Sequence, residues 1–396
     1  MSEFRTIREL CSVVVDCPHS TPKWTANGKI VIRNKNIKHG KIDFSSPSYT
    51  DDEHFAQRIK RAKPQPGDII ITREAPIGDV GMIPENTECC LGQRMVLLRA
   101  NQSVCDNFYL LYSLQSLYVQ HQISWSEGTG TTVSNLRIPH LEQIQIPYLP
   151  LEQQAKISSV LRALEEKIEN NRRLNDNLEQ QAQAIYHERF ETASPDDLHS
   201  GWRTVTLGEV ATILNKSFNP LKEPEMLLEH YSIPAFDEAR FPVFDLSTSI
   251  KSNKFIIDAS CFMISKLNPT TKRVWKPYCL TGNAVCSTEF IVYKAKDKTI
   301  TDFLYSVIDS NSFSDFMCSH VTGSTGSRQR TTPSDTLSYE LILPSEDDLA
   351  EFQSLVSPMY AQIRINAIEN DRLKRLRDSL LPKLMSGEID VSAVQF

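Results

Sequence analysis

Two stretches of the sequence carry cationic side chains that could neutralise the phosphates of a nucleic acid. Residues 17–42 contain six lysines and arginines and no acid, and residues 251–276 contain six against the single Asp258. A tryptophan lies within each stretch, Trp24 in the first and Trp275 in the second. An isolated charge run is usually only a solvated surface, but cations beside aromatic rings are typical of a DNA-binding face. The two stretches therefore indicate local contacts with nucleic acid, even though the chain has a net charge of −6.

Two loops rich in glycine and hydroxyl side chains could add contacts to phosphates or base edges. Residues 127–133 have the sequence EGTGTTV, and residues 322–330 have the sequence TGSTGSRQR. Neither loop has the spacing of a nucleotide-binding P-loop or of a dinucleotide fold. A single loop of this kind could equally be a flexible surface segment. Because the two occur at matching places in the sequence, we predict that they bind DNA.

The other residue types that often carry catalysis are not arranged as a site. Nine cysteines form no C-x-x-C pair, and His19 has no second ligand at helical or hairpin spacing. The sequence 268–271, NPTT, lacks the aromatic residue with which a DNA methyltransferase stacks a flipped base. The acid pair at 165–166 with Lys167 lies on the outer face of a predicted helix. We therefore predict a non-catalytic chain with no metal site, in which His19 lies in a surface turn.

An internal repeat predicts the elements that must position these residues. Ten seam positions of one helix recur 195 residues later with spacings of four and three, which is the pattern of a coiled coil. Four seam positions are asparagines, which cost stability and specify register. If the two helices pair antiparallel about a dyad near residue 173, Asn171 faces Asn370 and Asn175 faces Asn366. The seam positions are Ile157, Leu161, Leu164, Ile168, Asn171, Asn175, Leu178, Ala182, Ile185 and Arg189, repeated as Phe352, Val356, Met359, Ile363, Asn366, Asn370, Leu373, Arg377, Leu380 and Leu384.

The chain is therefore predicted to be one unit written twice, each a globular α+β domain followed by a long helix. The predicted boundaries are 1–150, 151–192, 193–345 and 346–396. The patterns also favour one helix at 106–121 and one at 301–319, and Pro382 is expected to terminate or kink the last helix. Strands are expected at 12–15, 29–33, 68–72, 80–83, 95–98, 255–265 and 285–293.

Charge and composition restrict the class of protein further. Residues 151–199 and 346–396, which contain the predicted long helices, hold 12 basic and 19 acidic residues, whereas residues 1–150 and 200–345 hold 31 and 30. No apolar run approaches 20 residues and no signal-like N-terminus is present, so we expect neither a membrane span nor secretion. The cysteines are expected to be reduced thiols of a cytoplasmic protein.

The sequence resembles the DNA-specificity subunit of a type I restriction-modification system over nearly the whole chain. The duplication carries this resemblance together with four segments: 16–22 (DCPHSTP), 66–73 (PGDIIITR), 128–154, and 380–389 (LLPKLMSGEI). The second half departs from the pattern, because Lys266-Leu-Asn-Pro stands where the first half has Arg73-Glu-Ala-Pro.

The resemblance implies an α+β fold of two similar mixed target-recognition domains, separated by two long helices that form an antiparallel coiled coil with a pseudo-two-fold repeat. Each domain would recognise one half of a bipartite asymmetric site in double-stranded DNA. Two methyltransferase subunits and the endonuclease-translocase subunits would be the partners in a prokaryotic cytoplasm. S-adenosylmethionine, ATP and Mg²⁺ are expected on those partners, and no cofactor is expected on this chain. Two alternatives stay open, a type II specificity subunit with a fused methyltransferase-nuclease partner, and a coiled-coil adaptor without DNA binding.

The candidate DNA-binding residues come from the basic stretches, the two loops and the segments that carry the resemblance. They are Lys23, Trp24, Lys35, Lys38, Arg73, Arg94, Thr129, Thr131, Thr132, Lys266, Lys272, Arg273, Ser324, Ser327, Arg328 and Arg330.

Overall fold

The computed structural model describes residues 3–125, 135–191, 199–322 and 329–391. The chain divides into two compact units. Unit 1 comprises residues 1–166 and 373–396, and unit 2 comprises residues 167–372. Neither unit is a simple half of the sequence, because the unit boundary falls inside both long helices.

The helices are as follows: α1 Ile7–Leu10, α2 Asp52–Arg58, α3 Asn107–Gln115, α4 Leu117–Trp125, α5 Ile138–Gln143, α6 Leu151–Tyr186, α7 Leu207–Val210, α8 Ile233–Ala239, α9 Thr301–Ile308, α10 Asn311–Ser319 and α11 Glu346–Met385. None of these helices, within the part of the chain that is described, is long and apolar enough to span a membrane.

The strands of unit 1 are β1 Glu3–Thr6, β2 Cys11–Asp16, β3 Lys29–Ile32, β4 Ile37–Lys38, β5 Lys41–Ile42, β6 Ser48–Thr50, β7 Ile69–Thr72, β8 Val80–Met82, β9 Cys89–Leu91, β10 Met95–Ala100 and β11 Gln145–Tyr148. They form one sheet in the order β2-β10-β7-β8 and another in the order β6-β3-β9, in which β3 and β9 are parallel. Two antiparallel pairs, β1-β11 and β4-β5, complete the unit.

The strands of unit 2 are β12 Arg203–Thr206, β13 Ala211–Leu214, β14 Ser217–Phe218, β15 Leu227–Tyr231, β16 Val243–Leu246, β17 Lys254–Ile256, β18 Cys261–Ser265, β19 Val274–Trp275, β20 Ala284–Ser287, β21 Phe290–Ala295, β22 Val321–Thr322, β23 Arg330–Thr331 and β24 Glu340–Leu343. The sheets have the orders β13-β21-β18-β19 and β14-β17-β20-β15-β16, with β15 and β20 parallel. The pair β12-β24 matches β1-β11, and β22 pairs with β23.

The repeat in the sequence is therefore also a repeat in topology. In both units a four-residue helix starts with a capping box, formed by Thr6 with Glu9 and by Thr206 with Glu209. The second unit differs by adding β14 and β17 to one edge of its mixed sheet. The α+β class predicted from the sequence is confirmed, and the duplicated frame carries sheets of different width.

Two predicted helices are each two helices in the structure. Ser116, between α3 and α4, has extended backbone angles, and its hydroxyl accepts from the Val119 amide at 3.4 Å. Ser310, between α9 and α10, caps the Phe313 amide at 3.1 Å. Serine competes with helical hydrogen bonding and favours a new N-terminus, so the continuous helices predicted at 106–121 and 301–319 were wrong.

The two long helices begin directly after the β11 and β24 segments, as the sequence predicts. Helix α6 is 36 residues long and α11 is 40 residues long. Pro382 lies in the last turn of α11 and does not terminate the helix, which continues to Met385. Gly387, with a φ of +73°, follows the end of that helix.

The core of unit 1 includes residues from the end of the chain. Leu384, Met385 and Val391 are buried with Ile7 and Leu161 in one cluster. These contacts join the last segment of the sequence to the first domain.

The core of unit 2 has an aromatic centre. Tyr186, Phe190, Phe303 and Phe352 pack with ring centroids 5.2–6.4 Å apart. Rings in tilted and edge-on contact fill volume that no smaller side chain would fill. This centre joins the ends of α6 and α11 to α9.

Within unit 2, α6 and α11 pair through buried asparagines. The Asn171 Nδ2 donates to the Asn370 Oδ1 at 3.0 Å, and the Asn366 Nδ2 donates to the Asn175 Oδ1 at 2.7 Å. The Asn171 Nδ2 also donates to Glu369 at 2.7 Å. These are the two pairs expected for antiparallel helices about a dyad near residue 173.

Candidate nucleic-acid interface

In unit 1, four connections that are distant in sequence meet at one place. They are residues 18–24, 33–36, 73–76 and 92–94, which we call the first loop cluster. The Arg73 amide donates to the Arg94 carbonyl at 2.8 Å, and the Asn34 Nδ2 donates to the Glu74 carbonyl at 2.6 Å. The Gln93 side chain donates to the His19 carbonyl, which links the remaining connection. Backbone and amide contacts thus hold four loops together as one surface.

The exposed aromatic residue of the cluster is Trp24. Its side chain is 45% exposed, and the Arg33 guanidinium lies over the ring, 4.9 Å from its centroid. An exposed indole beside a guanidinium provides a surface on which a partner can stack. The predicted contact Trp24 therefore lies on an accessible surface.

Three predicted DNA contacts in unit 1 are exposed cations with loose acidic neighbours. Lys23 lies 3.3 Å from Asp51, Lys38 lies 3.6 Å from Asp43, and Arg94 lies 3.3 Å from Glu74. Exposed ion pairs of this kind contribute little, so each cation can exchange its carboxylate for a phosphate. Lys35 has a neutral neighbour instead, the Ser46 hydroxyl at 3.2 Å.

Arg73 has a different environment from the other predicted contacts. Its side chain is 12% exposed, and its Nη1 donates to both Asp16 oxygens at 2.9 and 2.8 Å. It also donates to the Leu136 carbonyl at 2.9 Å and the Asn135 Oδ1 at 3.2 Å. Asn135 and Leu136 directly follow the first Gly/Thr-rich loop in the sequence. In this structure Arg73 positions the base of that loop rather than presenting its guanidinium to solvent.

His19 lies at the edge of the same cluster. Its Nε2 is 3.0 Å from Asp16, and its side chain is mostly exposed. No group of three or more His, Cys, Asp or Glu side chains within the described ranges could hold a metal ion.

Unit 2 repeats the loop arrangement with different chemistry. The Lys266 amide donates to the Glu289 carbonyl at 2.9 Å, and the Thr331 amide donates to the Lys266 carbonyl at 3.2 Å. Arg330 forms two hydrogen bonds to Glu289, at 3.0 and 3.1 Å. Ala75 and Asn268, each followed by a proline, have φ values of +45° and +48° at the matching turn. The backbone frame is kept while the side chains change.

The predicted cations of the second basic stretch are paired more tightly. Arg273 forms a bidentate contact with Asp237 at 2.6 and 2.9 Å and is largely buried. Lys272 lies 3.0 Å from Asp309. In Asp309, burial raises the carboxyl pKa, and the nearby Lys272 opposes that shift. Both cations hold the domain together in this structure.

Trp275 is not part of an exposed face, contrary to what its place in the second stretch suggests. It is 3% exposed and packs edge-on against Tyr231 and Phe236. Its environment is the domain core, which sequence proximity to lysines could not reveal.

A buried carboxylate fixes a neighbouring loop of unit 2. Glu229 is fully buried and accepts hydrogen bonds from the Tyr231 hydroxyl at 2.5 Å and from Thr281 at 2.8 and 3.1 Å. The Leu280 amide adds a fourth bond at 3.0 Å. Burial and this carboxylate together raise the pKa of the Tyr231 hydroxyl. Both carboxylate oxygens of Glu229 accept hydrogen bonds from the protein, so Glu229 has a structural role.

Six predicted contacts lie outside the described residues. They are Thr129, Thr131, Thr132, Ser324, Ser327 and Arg328. The sequence analysis also overlooked members of the first loop cluster, above all Arg33, Asn34 and Gln93. Arg33 lies in the first basic stretch, so its place beside Trp24 could have been a signal.

Comparison with known proteins places this architecture in a family. The family model described as type I restriction modification DNA specificity domain matches residues 3–180. The MjaIX type I restriction enzyme specificity subunit of Methanocaldococcus jannaschii is 25% identical over 82% of this chain and 78% of its own length. Residues 3–180 thus match the DNA specificity domain of type I restriction-modification systems, and most of the chain is similar to a specificity subunit of a type I restriction enzyme.

Two further specificity subunits are similar to this chain over shorter or more distant matches. The putative MjaX specificity subunit of the same organism is 32% identical over 30% of this chain and 27% of its own length. The crystal structure of a type I system S subunit from M. genitalium covers 97% of this chain and 96% of that one, with 18% identity and a TM-score of 0.57. This last likeness shows that the fold is shared.

Proposed function

We propose that this specificity subunit recognises a bipartite, asymmetric site in double-stranded DNA, with one half-site for each of its two recognition domains. The observation that carries the proposal is the repeated frame with changed loop chemistry. Arg94 and Asn135 of the first unit correspond to Glu289 and Arg330 of the second through the 195-residue offset. Equal scaffolds with unequal polar groups suit two different base sequences.

The exposed cations of the first loop cluster support contacts with the DNA backbone. Lys23 and Lys35 belong to the same loop cluster as Trp24, Lys38 is exposed on the strand β4, and all three would neutralise phosphates. Phosphate contacts position a protein on DNA, whereas base contacts specify the sequence. We assign the predicted contacts on the two Gly/Thr-rich loops, and Lys266 beside the second, to the same interface.

We assign to Arg73, Lys272, Arg273 and Arg330 an indirect contribution. Their carboxylate partners would have to be released before the guanidinium or ammonium groups could bind DNA. Arg73 holds residues 135–136, and the other three cations are paired with Asp309, Asp237 and Glu289, respectively.

The catalytic steps are assigned to partners. The chain would bind two methyltransferase subunits, which use S-adenosylmethionine, and endonuclease-translocase subunits, which use ATP and Mg²⁺. It would itself hold no cofactor, and it would act in a prokaryotic cytoplasm. The acidic surface of the long helices suits a protein partner rather than DNA.

The two long helices would set the separation of the half-sites. At 1.5 Å per residue, 36 residues correspond to about 54 Å of helix. A turn of DNA rises about 34–36 Å, so helices of this length suit half-sites roughly one turn or somewhat more apart.

Sequencing of methylated bases in cells that express this chain with its partners tests the proposal. A bipartite motif with a fixed gap is expected. A seven-residue insertion between residues 155 and 190 lengthens the helix by about 10 Å and should change the gap by roughly three base pairs, while both half-sites stay the same. Replacing exposed Arg172 and Arg173 by alanine, with no change of length, is the matched control and should leave the gap unchanged.

Two outcomes would contradict this function. Methylation of a single continuous motif would exclude two half-sites. A changed base preference after the insertion, with the gap unaltered, would exclude the helices as the spacer. The partners recovered with the chain on purification identify the enzyme subunits directly.

A further inference from the structure

We propose that Arg33 of the first loop cluster recognises a guanine in the major groove of the first half-site. The inference rests on the proposed DNA recognition and deepens it by naming one base-specific contact. It follows from the way Arg33 is held and from the groups that surround it.

The guanidinium of Arg33 is oriented by Trp24. It lies 4.9 Å from the centroid of the indole ring, and both side chains are exposed. Stacking uses the face of the planar guanidinium and leaves the N–H groups at its edge free to donate. The Arg33 side chain therefore has exposed N–H donors beside an aromatic ring.

The backbone on both sides of Arg33 is fixed by side-chain amides. The Asn36 Oδ1 accepts from the Arg33 amide at 3.0 Å, and the Asn36 Nδ2 donates to the Asp43 carbonyl at 2.9 Å. Asn34 donates to the Glu74 carbonyl at 2.6 Å. A base-reading side chain must be held within a fraction of an ångström, and these contacts supply that rigidity.

Gly92 allows the neighbouring loop to approach Arg33 closely. A Cβ added at Gly92 would lie 2.7 Å from the Ile32 carbonyl oxygen and 3.7 Å from the Arg33 Cγ. The first of these distances is too short for any side chain, so only glycine permits this packing. The base of the Arg33 side chain is thus enclosed while its end stays exposed.

The charge of Arg33 has not been neutralised by the protein. Of the three arginines in the first loop cluster, Arg73 is paired with Asp16 and Arg94 with Glu74. Arg33 has no carboxylate partner among residues 3–125, 135–191, 199–322 and 329–391. An exposed arginine without a carboxylate partner donates its N–H groups only to water, so a ligand with suitable acceptors can bind it without displacing an ion pair.

Guanine offers the acceptors that fit this donor pair. Its O6 and N7 lie side by side in the major groove, and a bidentate arginine contact to them is the commonest specific contact in protein–DNA complexes. A phosphate could also accept from Arg33, but it would impose no preference for a base. The two ligands are therefore separable by sequence dependence.

The test uses the chain assembled with its methyltransferase subunits and a duplex that carries the motif found for the unaltered complex. Each G·C pair of the first half-site is replaced in turn, and affinity is measured by competition. Arg33→Ala and Arg33→Lys are expected to lose roughly 5- to 150-fold discrimination at one G·C position and none elsewhere. Because Arg33→Lys keeps the charge, its slope of log affinity against log salt should stay close to that of the parent.

Lys35→Ala is the matched control in the same loop cluster. It should weaken binding to every duplex equally and reduce the salt slope by about one. Trp24→Ala should reproduce part of the Arg33→Ala effect at the same base pair, because the guanidinium loses its stacking surface.

Uniform weakening by Arg33→Ala and Arg33→Lys would identify a phosphate contact and overturn the inference. Unchanged discrimination in Arg33→Lys, in a complex that methylates its site normally, would overturn it as well. Failure of the proposed function has a different signature, because the unaltered complex would then bind all duplexes alike. Circular dichroism of each variant, compared with the parent, shows that any effect comes from a folded chain.

Discussion

The asparagine pair Asn171–Asn370 offers a sharp test of how the long helices are held in register. Both side chains are buried, with 3% and 8% exposure, and the Asn171 Nδ2 lies 3.0 Å from the Asn370 Oδ1. Replacing Asn370 by leucine removes an acceptor, and replacing Asn171 by leucine leaves the Asn370 amide buried without its partner. A buried polar group that loses its partner costs about 1–3 kcal/mol. Asn171→Leu should therefore lower the free energy of unfolding by about that amount, and Asn370→Leu should lower it by less, because the Asn171 Nδ2 keeps its bond to Glu369.

The double variant Asn171→Leu/Asn370→Leu should behave differently. It leaves no unpaired amide and buries two apolar side chains, each of which contributes about 1.5–3 kcal/mol when fully buried. We expect it to be at least as stable as the parent chain. The coupling between the two positions should then be about 2 kcal/mol, within the range observed for residues in contact.

Urea unfolding of the purified chain, followed by circular dichroism, measures the four free energies of this cycle. Arg173→Leu, at an exposed position of the same helix, is the control and should change stability by less than about 0.5 kcal/mol. Additive single effects, with a coupling below about 0.5 kcal/mol, would refute the assignment of this pair as a buried, mutually dependent contact.

The same double variant separates stability from specificity. A polar seam residue fixes register at a cost in stability, because sliding the helices would bury it against apolar neighbours. With leucine at both positions this pair no longer imposes the penalty, and extending the change to Asn175 and Asn366 removes it from the whole seam. In the assembled complex we expect the methylated motif to show more than one gap length, and a single unchanged gap would mean that register is set elsewhere.

Three further perturbations follow from the structure. Phe352→Ala removes a fully buried ring from the aromatic centre of unit 2 and should cost about 3–5 kcal/mol in urea unfolding; a loss below about 1 kcal/mol would mean that the centre closes over the gap. Glu229→Ala removes the acceptor of four hydrogen bonds and should lower the free energy of unfolding in urea by at least about 2 kcal/mol. An unchanged midpoint of urea unfolding would contradict a structural role. For Asp258, burial opposes ionisation, but hydrogen bonds from Lys294 and Ser260 outweigh it and lower the carboxyl pKa to about 2 from an ordinary 3.8. Its stabilisation should be complete above pH 3.8 and disappear as the pH falls through 2, so thermal unfolding of Asp258→Asn and of the parent should converge there; a constant difference down to pH 2 would contradict this.

Periodic features of the fold were accessible from the sequence. Spacings of four and three predicted both long helices, and the repeat predicted which asparagines meet, because a seam must be continuous along the helix. Short strands such as β7 and β10 were found from runs of β-branched and apolar residues. These signals are local or repeat at a fixed period, so no knowledge of tertiary contacts is needed.

The environment of single side chains was not accessible. Arg73 finds Asp16 across 57 positions of sequence, and Arg273 finds Asp237 across 36. Both looked like free cations until the fold brought a carboxylate to them. The prediction that Trp275 lies on an exposed face was wrong for the same reason, because its burial depends on contacts with β15 and α8. Arg33 was the converse case, because only the structure shows that no carboxylate among the described residues pairs with it.

The helix breaks at Ser116 and Ser310 show that helix ends inside an apolar pattern are also hard to predict from the sequence. Apolar periodicity continues through both positions, and a single serine is compatible with either a helix interior or a new N-terminus. Hydrogen bonding to the following amides decides the outcome, and the sequence alone does not show which partner the hydroxyl takes.

The residues Leu384, Met385 and Val391 have a consequence for biosynthesis. A ribosome completes the first domain at β11, but these partners of Ile7 and Leu161 are made more than 230 residues later. At about 5–20 residues per second, the apolar surface they cover stays open for roughly 10 to 50 seconds of translation. During that interval the nascent chain exposes apolar surface that chaperones and other nascent copies can bind. A stop codon near residue 372 would therefore damage the domain that was synthesised first, although every residue of its strands would be present.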